Sequence, residues 1–184
     1  PRMPDTRALQ LLEQTGAVKS GHFLLSSGLH SPNYCQCAAL FEHPSVAAEI
    51  AHMLVARLPA NLDFDAVLAP ALGGILWGYE LTRALSAARN TPIRSFFAER
   101  NTGEPFTLRR SFHLNSNDRV LLAEDVVTTG GSVMELVPLV EAAGAHVAAF
   151  AAVADRSKGK FKPAQPFFAL VQLDFPPYEP HACP

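Results

Sequence analysis

Residues 120–132 read VLLAEDVVTTGGS. Two carboxylates, Glu124 and Asp125, follow an apolar run, and Thr128, Thr129, Gly130, Gly131 and Ser132 come just after them. The second group has the chemistry of an anion cradle. First-turn N–H groups of a helix lack internal partners, and the helix dipole favours negative charge there. Glycines let backbone approach a ligand closely, and the hydroxyls add donors. Adjacent carboxylates would repel a phosphate unless they face something else, and hydroxyls of a sugar or a metal-bound water are suitable partners. One ligand carrying a phosphate and a vicinal diol satisfies both halves, and a ribose 5-phosphate is such a ligand. Taken separately, the Gly/Thr turn is also compatible with an ordinary strand–helix connection, and the acids with a solvated helix cap. The chain contains neither G-x-x-x-x-G-K-[ST] nor G-x-G-x-x-G, so the common nucleotide loops are absent.

These residues need a scaffold that brings turns together. From residue 65 the sequence alternates: DAVLAP, IRSFFAE, RVLLAED, HVAAFAAVAD and FFALVQL read as strands, and ILWGYELTRALSAA and SVMELVPLVEAAG as helices. Pro138 inside the second helix predicts a kink or break. Strands that are near-continuous apolar runs predict a parallel sheet covered by helices on both faces, an α/β fold. Ligands of such sheets sit beyond the carboxyl ends of the strands, where turns 70–74, 99–110 and 124–132 are expected to meet. Upstream, 5–14 and the segment from Pro44 predict helices, and 22–41 a hairpin. The Pro-rich tail DFPPYEPHACP predicts an extended surface segment. One domain is expected over 1–184, with a small hood from about 1–42 and a core from about 43–175.

The chain is 48% hydrophobic and 17% charged, with net charge −2. That supplies a real core and argues against nucleic acid as a standing partner, which needs a basic stripe. The longest apolar stretch, Val147 to Ala154, is far too short to span a bilayer. PRMPDTRALQ shows no signal-peptide h-region, so the cytoplasm is the expected compartment. Cys35, Cys37 and Cys183 do not make a disulfide framework. Cys35 and Cys37 could be imagined with His181 and Cys183 as four zinc ligands, but C-x-C is not the usual spacing, and reduced, incidental thiols are the favoured reading.

VLLAEDVVTTGGS resembles the PRPP-binding signature of type I phosphoribosyltransferases. GHFLLSSGLHSPNYCQCA, PALGGI, AERNTGE and VADR resemble, in order, the hood segment, turn, loop and strand end of the orotate phosphoribosyltransferases. The resemblance covers about residues 9–160. It implies a type I phosphoribosyltransferase-like parallel sheet flanked by helices, with an N-terminal hood. It implies transfer of the phosphoribosyl group of PRPP to orotate, giving orotidine 5′-monophosphate and pyrophosphate in pyrimidine biosynthesis. Glu124 and Asp125 are then expected to hold the ribose hydroxyls, with Asp125 and Arg100 catalytic. Thr128, Thr129, Gly130, Gly131 and Ser132 are expected to hold the 5′-phosphate, with Val126 and Val127 also in the PRPP site. Leu72, Gly73 and Gly74 are expected to approach the pyrophosphate, with the peptide before Gly73 often strained or cis. Ser26, Ser27, Tyr34, Thr128 and Arg156 are expected to line the orotate pocket. Mg²⁺ is expected to arrive mainly on PRPP rather than on protein ligands, and a homodimer with lids shared between subunits is implied.

The sequence departs from the family's pattern at its lysines. Ser26 and Gly73 stand where lysines are usual, and residues 101–109 hold none. Arg100, with Arg109 or Arg110, is one replacement for the lid lysine, since guanidinium binds phosphate well. A purine phosphoribosyltransferase and a non-enzymatic PRPP-binding regulator are the alternatives. The first would not need Arg156, and a nucleic-acid-binding form of the second would want a basic surface.

Overall fold

The computed structural model describes residues 6–25 and 27–183. Its centre is a six-stranded sheet. β3 (Ala66–Pro70) is flanked by β4 (Arg94–Glu99) and β6 (Arg119–Val127); β7 (His146–Asp155) and β8 (Phe167–Gln172) continue beyond β6, and the short β5 (Thr107–Leu108) closes the other edge. All neighbours are parallel except β4 and β5. Every residue of AVLAP in β3 is buried, as the middle strand of a covered sheet requires.

Strand alternation divides the core into two faces. Val67, Leu121, Ala123, Ala149, Ala151 and Val153 point to one side, where they meet Trp77, Leu81 and Leu85 of α3 (Gly74–Arg89) and Ile50 and Leu54 of α2 (Pro44–Val55). Ala66, Leu68, Val120, Leu122, Phe150 and Ala152 point to the other, against Val133, Leu136 and Val140. Those last residues come from the segment containing Pro138. Here the expected single helix divides into α4 (Gly131–Met134) and α5 (Val137–Ala142), with Pro138 in the first turn of α5, where a missing N–H costs nothing. α3 approaches β3 closely: a Cβ on Gly78 would lie 2.9 Å from the Ala69 Cβ.

The N-terminal segment is continuous with this core. α1 (Thr6–Gln14) buries Ala8, Leu11 and Leu12 in the same cluster as α2 and α3. What stands apart is a hairpin of β1 (Val18–Leu24) and β2 (His30–Cys35), a separate two-stranded sheet. The tail adds a bridge to it: His30 and Tyr178 exchange both backbone hydrogen bonds at 2.8 Å.

Candidate active site

Four parallel strands end at one edge, at Pro70, Glu99, Val127 and Asp155, so the turns after them lie side by side. β6 runs on past its apolar stretch to Val127, carrying Glu124 and Asp125 close to its exit with both side chains partly buried. Val126 N–H donates to Asp125 Oδ1 at 2.9 Å. Among the described residues, neither carboxylate has an ion-pair partner. Burial, with the neighbouring Asp125 charge, pushes Glu124 up to about 7, although Ser132 hydrogen-bonds to it. Burial also raises Asp125, against the backbone hydrogen bonds that favour its charged form. A partly buried acidic pair with no ion-pair partner among the described residues is poised for hydroxyl donors or a metal.

The loop after the pair has a rigid basis. Gly130 has φ +80°, and a Cβ there would fall 2.1 Å from Cδ2 of Phe161. Phe161 is held edge-on by Phe150 and Phe167. The backbone therefore lies directly against a packed ring, a position only glycine fits. Thr129 Oγ1 accepts from Gly131 N–H at 3.2 Å, and α4 begins at Gly131. Thr128, Thr129 and Gly131 are exposed, Ser132 is half-buried, and Val127 is buried.

Across the edge, the turn before α3 faces the same carboxylate. A Cβ on Gly73 would sit 3.1 Å from Asp125 Oδ1, so Gly73 borders the acidic pair. Gly74 is pressed against Pro70 and Ala69. A cis peptide joins Ala71 to Leu72, one bond upstream of the expected position before Gly73. Leu72 is 85% exposed.

Arg156 follows β7, tied down by its N–H donating to Val127 O at 2.7 Å. Its guanidinium lies over Phe175, 5.0 Å from the ring centroid. Asp155 turns away and accepts from Ser157 N–H. Arg156 is close enough to influence Cys35, a residue the sequence did not mark for the site. The Cys35 and Cys37 sulfurs lie 3.9 Å apart, and their hydrogen bond holds Cys35 below the ordinary thiol value against its burial; Arg156 pulls it further down, and Asp125 pushes it up. The same hydrogen bond and burial push Cys37 up. Period-two alternation could have pointed to Cys35, because it also explains Tyr34. Tyr34 lies on the opposite face of the hairpin and stacks on Phe23 at 5.6 Å. Ser27 is exposed in the hairpin turn, and Ser26 lies outside the described residues.

The arginine-rich segment is an edge hairpin in this conformation, with Thr107 paired to Glu99 and Phe106 buried. Its charges are matched locally. Arg110 forks Glu99 at 2.9 Å, Arg109 lies 3.9 Å from Glu104, and Arg100 pairs with Glu135 while stacking over Phe106. Arg100 thus reaches the residue that caps the end of α4, immediately beyond the anion loop.

The sheet edge that joins an acidic pair to a glycine turn fits the phosphoribosyltransferase class, and the profile of the phosphoribosyl transferase domain matches residues 36–176. The orotate phosphoribosyltransferase of Thermotoga maritima is 44% identical over 175 residues, covering 95% of this chain and 89% of that one. The chain belongs to the orotate phosphoribosyltransferase family. In structure it is similar to the Mycobacterium tuberculosis orotate phosphoribosyltransferase in complex with inorganic phosphate (TM-score 0.72, 24% identity, 92% and 97% of the two chains). It is likewise similar to that protein in complex with PRPP (TM-score 0.65, 22% identity, 93% and 92%), which at this identity speaks for the fold alone.

Proposed function

We propose that the chain transfers the 5-phosphoribosyl group from PRPP to orotate, the reaction that makes orotidine 5′-monophosphate for pyrimidine synthesis. The observation that carries this reading is the partly buried pair Glu124–Asp125, without an ion-pair partner among the described residues, between the Gly130–Gly131 turn and Gly73. The ribose hydroxyls donate to the two carboxylates. The 5′-phosphate meets the N–H groups and hydroxyls from Thr128 to Ser132. The pyrophosphate lies toward Leu72–Gly74, whose lack of side chain at Gly73 leaves room beside Asp125. Arg156 offers its fork to the orotate carboxylate. The bond from the anomeric carbon to pyrophosphate breaks, a bond to the orotate ring nitrogen forms, and the proton of that nitrogen leaves with the pyrophosphate. No protein nucleophile takes part; the chain contributes position and charge. Arg100 is the cation that this reading assigns to the leaving pyrophosphate. Its pair with Glu135 is exposed on both sides, so exchanging one anion for another costs little.

Carboxylate oxygens suit a hard cation, and Glu124 and Asp125 are the residues that would meet Mg²⁺ carried in on PRPP. When bound, Mg²⁺ supplies neutralisation of the pyrophosphate charge. A homodimer fits the exposed stripe of Leu72, Leu76 and Tyr79 and the adjoining groove of about 560 Å³ lined by Ile75, Ile93, Phe97 and Phe112. The cytoplasm suits three free cysteines, and among the described residues no helix is long and apolar enough to cross a membrane.

The test is one assay with Mg²⁺, PRPP and orotate, followed by loss of orotate absorbance. Turnover with orotate is expected. Turnover only with adenine or hypoxanthine would replace the acceptor, and saturable PRPP binding without turnover on any base would favour a sensor. The purine reading has less support, because the 44%-identical relative is an orotate enzyme and because Arg156 stands at the strand exit.

A further inference from the structure

Away from this edge, three side chains converge where the tail meets the hairpin. His22 Nε2 lies 2.8 Å from His30 Nδ1, and Cys183 Sγ lies 3.5 Å from His22 Nε2. Their ligand atoms all lie within 4.8 Å of one another. We propose that His22, His30 and Cys183 form a site for a transition-metal ion, with Zn²⁺ the best match, and that the ion staples the tail to the hairpin.

The chemistry of the donors selects the ion. Two imidazoles and a thiolate suit zinc and its neighbours in the series and are poor ligands for Mg²⁺ or Ca²⁺. The geometry is close to what a tetrahedral ion requires. Bonds of about 2.05 Å to nitrogen and about 2.3 Å to sulfur place two nitrogens ~3.4 Å apart and a nitrogen–sulfur pair ~3.6 Å apart. The sulfur–nitrogen distance to His22 already agrees, and His30 lies within 4.8 Å of the sulfur. The two imidazoles must separate by about half an ångström, within reach of small χ rotations at the exposed His22. Water is left to fill the fourth position, in a small concavity bounded by Gly21, Ser31, Pro32 and Tyr178.

The fold delivers each ligand deliberately. β1 and β2 pair so that Phe23 faces Ser31 and Leu24 faces His30, which brings His22 and His30 onto one side of the hairpin. The backbone bridge between His30 and Tyr178 anchors the tail, and the 3-10 turn Pro180–Ala182 returns Cys183 to the two histidines. His181 stands outside the cluster, and Cys35 and Cys37 are buried in the core, so the imagined four-ligand set is not the one the fold assembles. An ion here joins residues 161 positions apart in the chain. It would hold the hairpin whose far end carries Cys35 toward Arg156. This inference does not depend on the transferase reading.

The experiment uses the full chain, stripped with a chelator and titrated with Zn²⁺ against a chromophoric zinc indicator. Wild type is expected to take up one equivalent. His22→Ala, His30→Ala and Cys183→Ser are each expected to bind roughly a hundredfold more weakly or worse. Cys35→Ser/Cys37→Ser is expected to bind as wild type. Co²⁺ in place of Zn²⁺ is expected to give a thiolate-to-cobalt charge-transfer band that Cys183→Ser abolishes. These ligands are partly exposed, so circular dichroism of the metal-free variants serves as a check that they fold. No stoichiometric uptake by wild type would overturn the proposal. So would uptake that survives Cys183→Ser, or uptake lost in Cys35→Ser/Cys37→Ser.

Discussion

The two loops that carry charge at the sheet edge are held in opposite ways. The loop after β6 is shaped from beneath: Gly130 lies on Phe161, and Phe161 is clamped by two further rings. The hairpin after β4 is shaped largely from its surface, by exposed pairs between its arginines and nearby acids. Close packing resists displacement, while exposed ion pairs contribute little and are readily exchanged. The first loop is therefore fixed by packing, and the second carries cations that can change partners. On the proposed function, the first is the cradle for the phosphate and the second serves the leaving pyrophosphate.

The largest effect is expected at the cradle. Asp125→Asn removes an acceptor for a ribose hydroxyl and is expected to lower kcat/KM for PRPP by roughly a hundred- to a thousandfold, about 3–4 kcal/mol. Burial raises the Asp125 pKa, so the neutral variant is expected to melt no lower than wild type. Normal kinetics would show that the acids only cap a turn. Arg156→Ala is expected to raise the KM for orotate at least roughly tenfold with little change for PRPP, because only one substrate offers it a carboxylate. Equal effects on the two substrates would put Arg156 outside the base pocket.

Two glycines with the same φ of +80° sharpen the comparison directly. Gly130 would drive a Cβ into Phe161, whereas Gly103 has nothing within 4 Å. Gly130→Ala is expected to cost about 3 kcal/mol, from the left-handed backbone and overpacking together, and Gly103→Ala about 1 kcal/mol from the backbone alone. Chemical denaturation measures both. Similar losses would mean that Phe161 yields easily and that the cradle is no more rigid than the hairpin.

The acidic pair adds a pH signature. Glu124 has its pKa raised from 4.5 to about 7. Such a shift favours the folded state fully below pH 4.5, and the advantage is lost as pH rises through 7. Ligand-free wild type is expected to lose about 2–3 kcal/mol across that window from this group, and Glu124→Gln to remove most of that dependence. An unchanged pH profile in the variant would mean that the carboxyl is well solvated.

The comparison also explains what was legible beforehand. The strands, the break at Pro138 and the pairing of acids with a glycine loop follow from periodicity and local chemistry, which lie within a few residues of sequence. Gly130 was recognisable as a loop residue, but the ring beneath it comes from residue 161, a tertiary neighbour with no local trace. Tyr34 follows from the resemblance of the hood segment, while its stacking on Phe23 is set by hairpin register. Cys183 stands out in the sequence as a candidate ligand, but its partners His22 and His30 are chosen by hairpin register. The arginines of 100–110 were visible as charges, while their partners were not, because long exposed side chains pair through tertiary proximity.

The smallest effect tests the exchangeable half of the comparison. If Arg100 leaves Glu135 to meet pyrophosphate, the pair belongs to the resting state and not to the transition state. Glu135→Gln is then expected to change stability by no more than about 1 kcal/mol. It is expected to leave kcat unchanged or slightly raised, since Arg100 no longer has to abandon a carboxylate. Arg100→Ala is expected to lower kcat by at least roughly tenfold, and Arg100→Lys to recover part of it, because a lysine keeps the charge and loses only the fork. Steady-state kinetics of the three variants at low and high salt separates the cases. A loss in Glu135→Gln as large as that in Arg100→Ala would mean that the pair works intact, and the hairpin would then be as fixed as the cradle beside it.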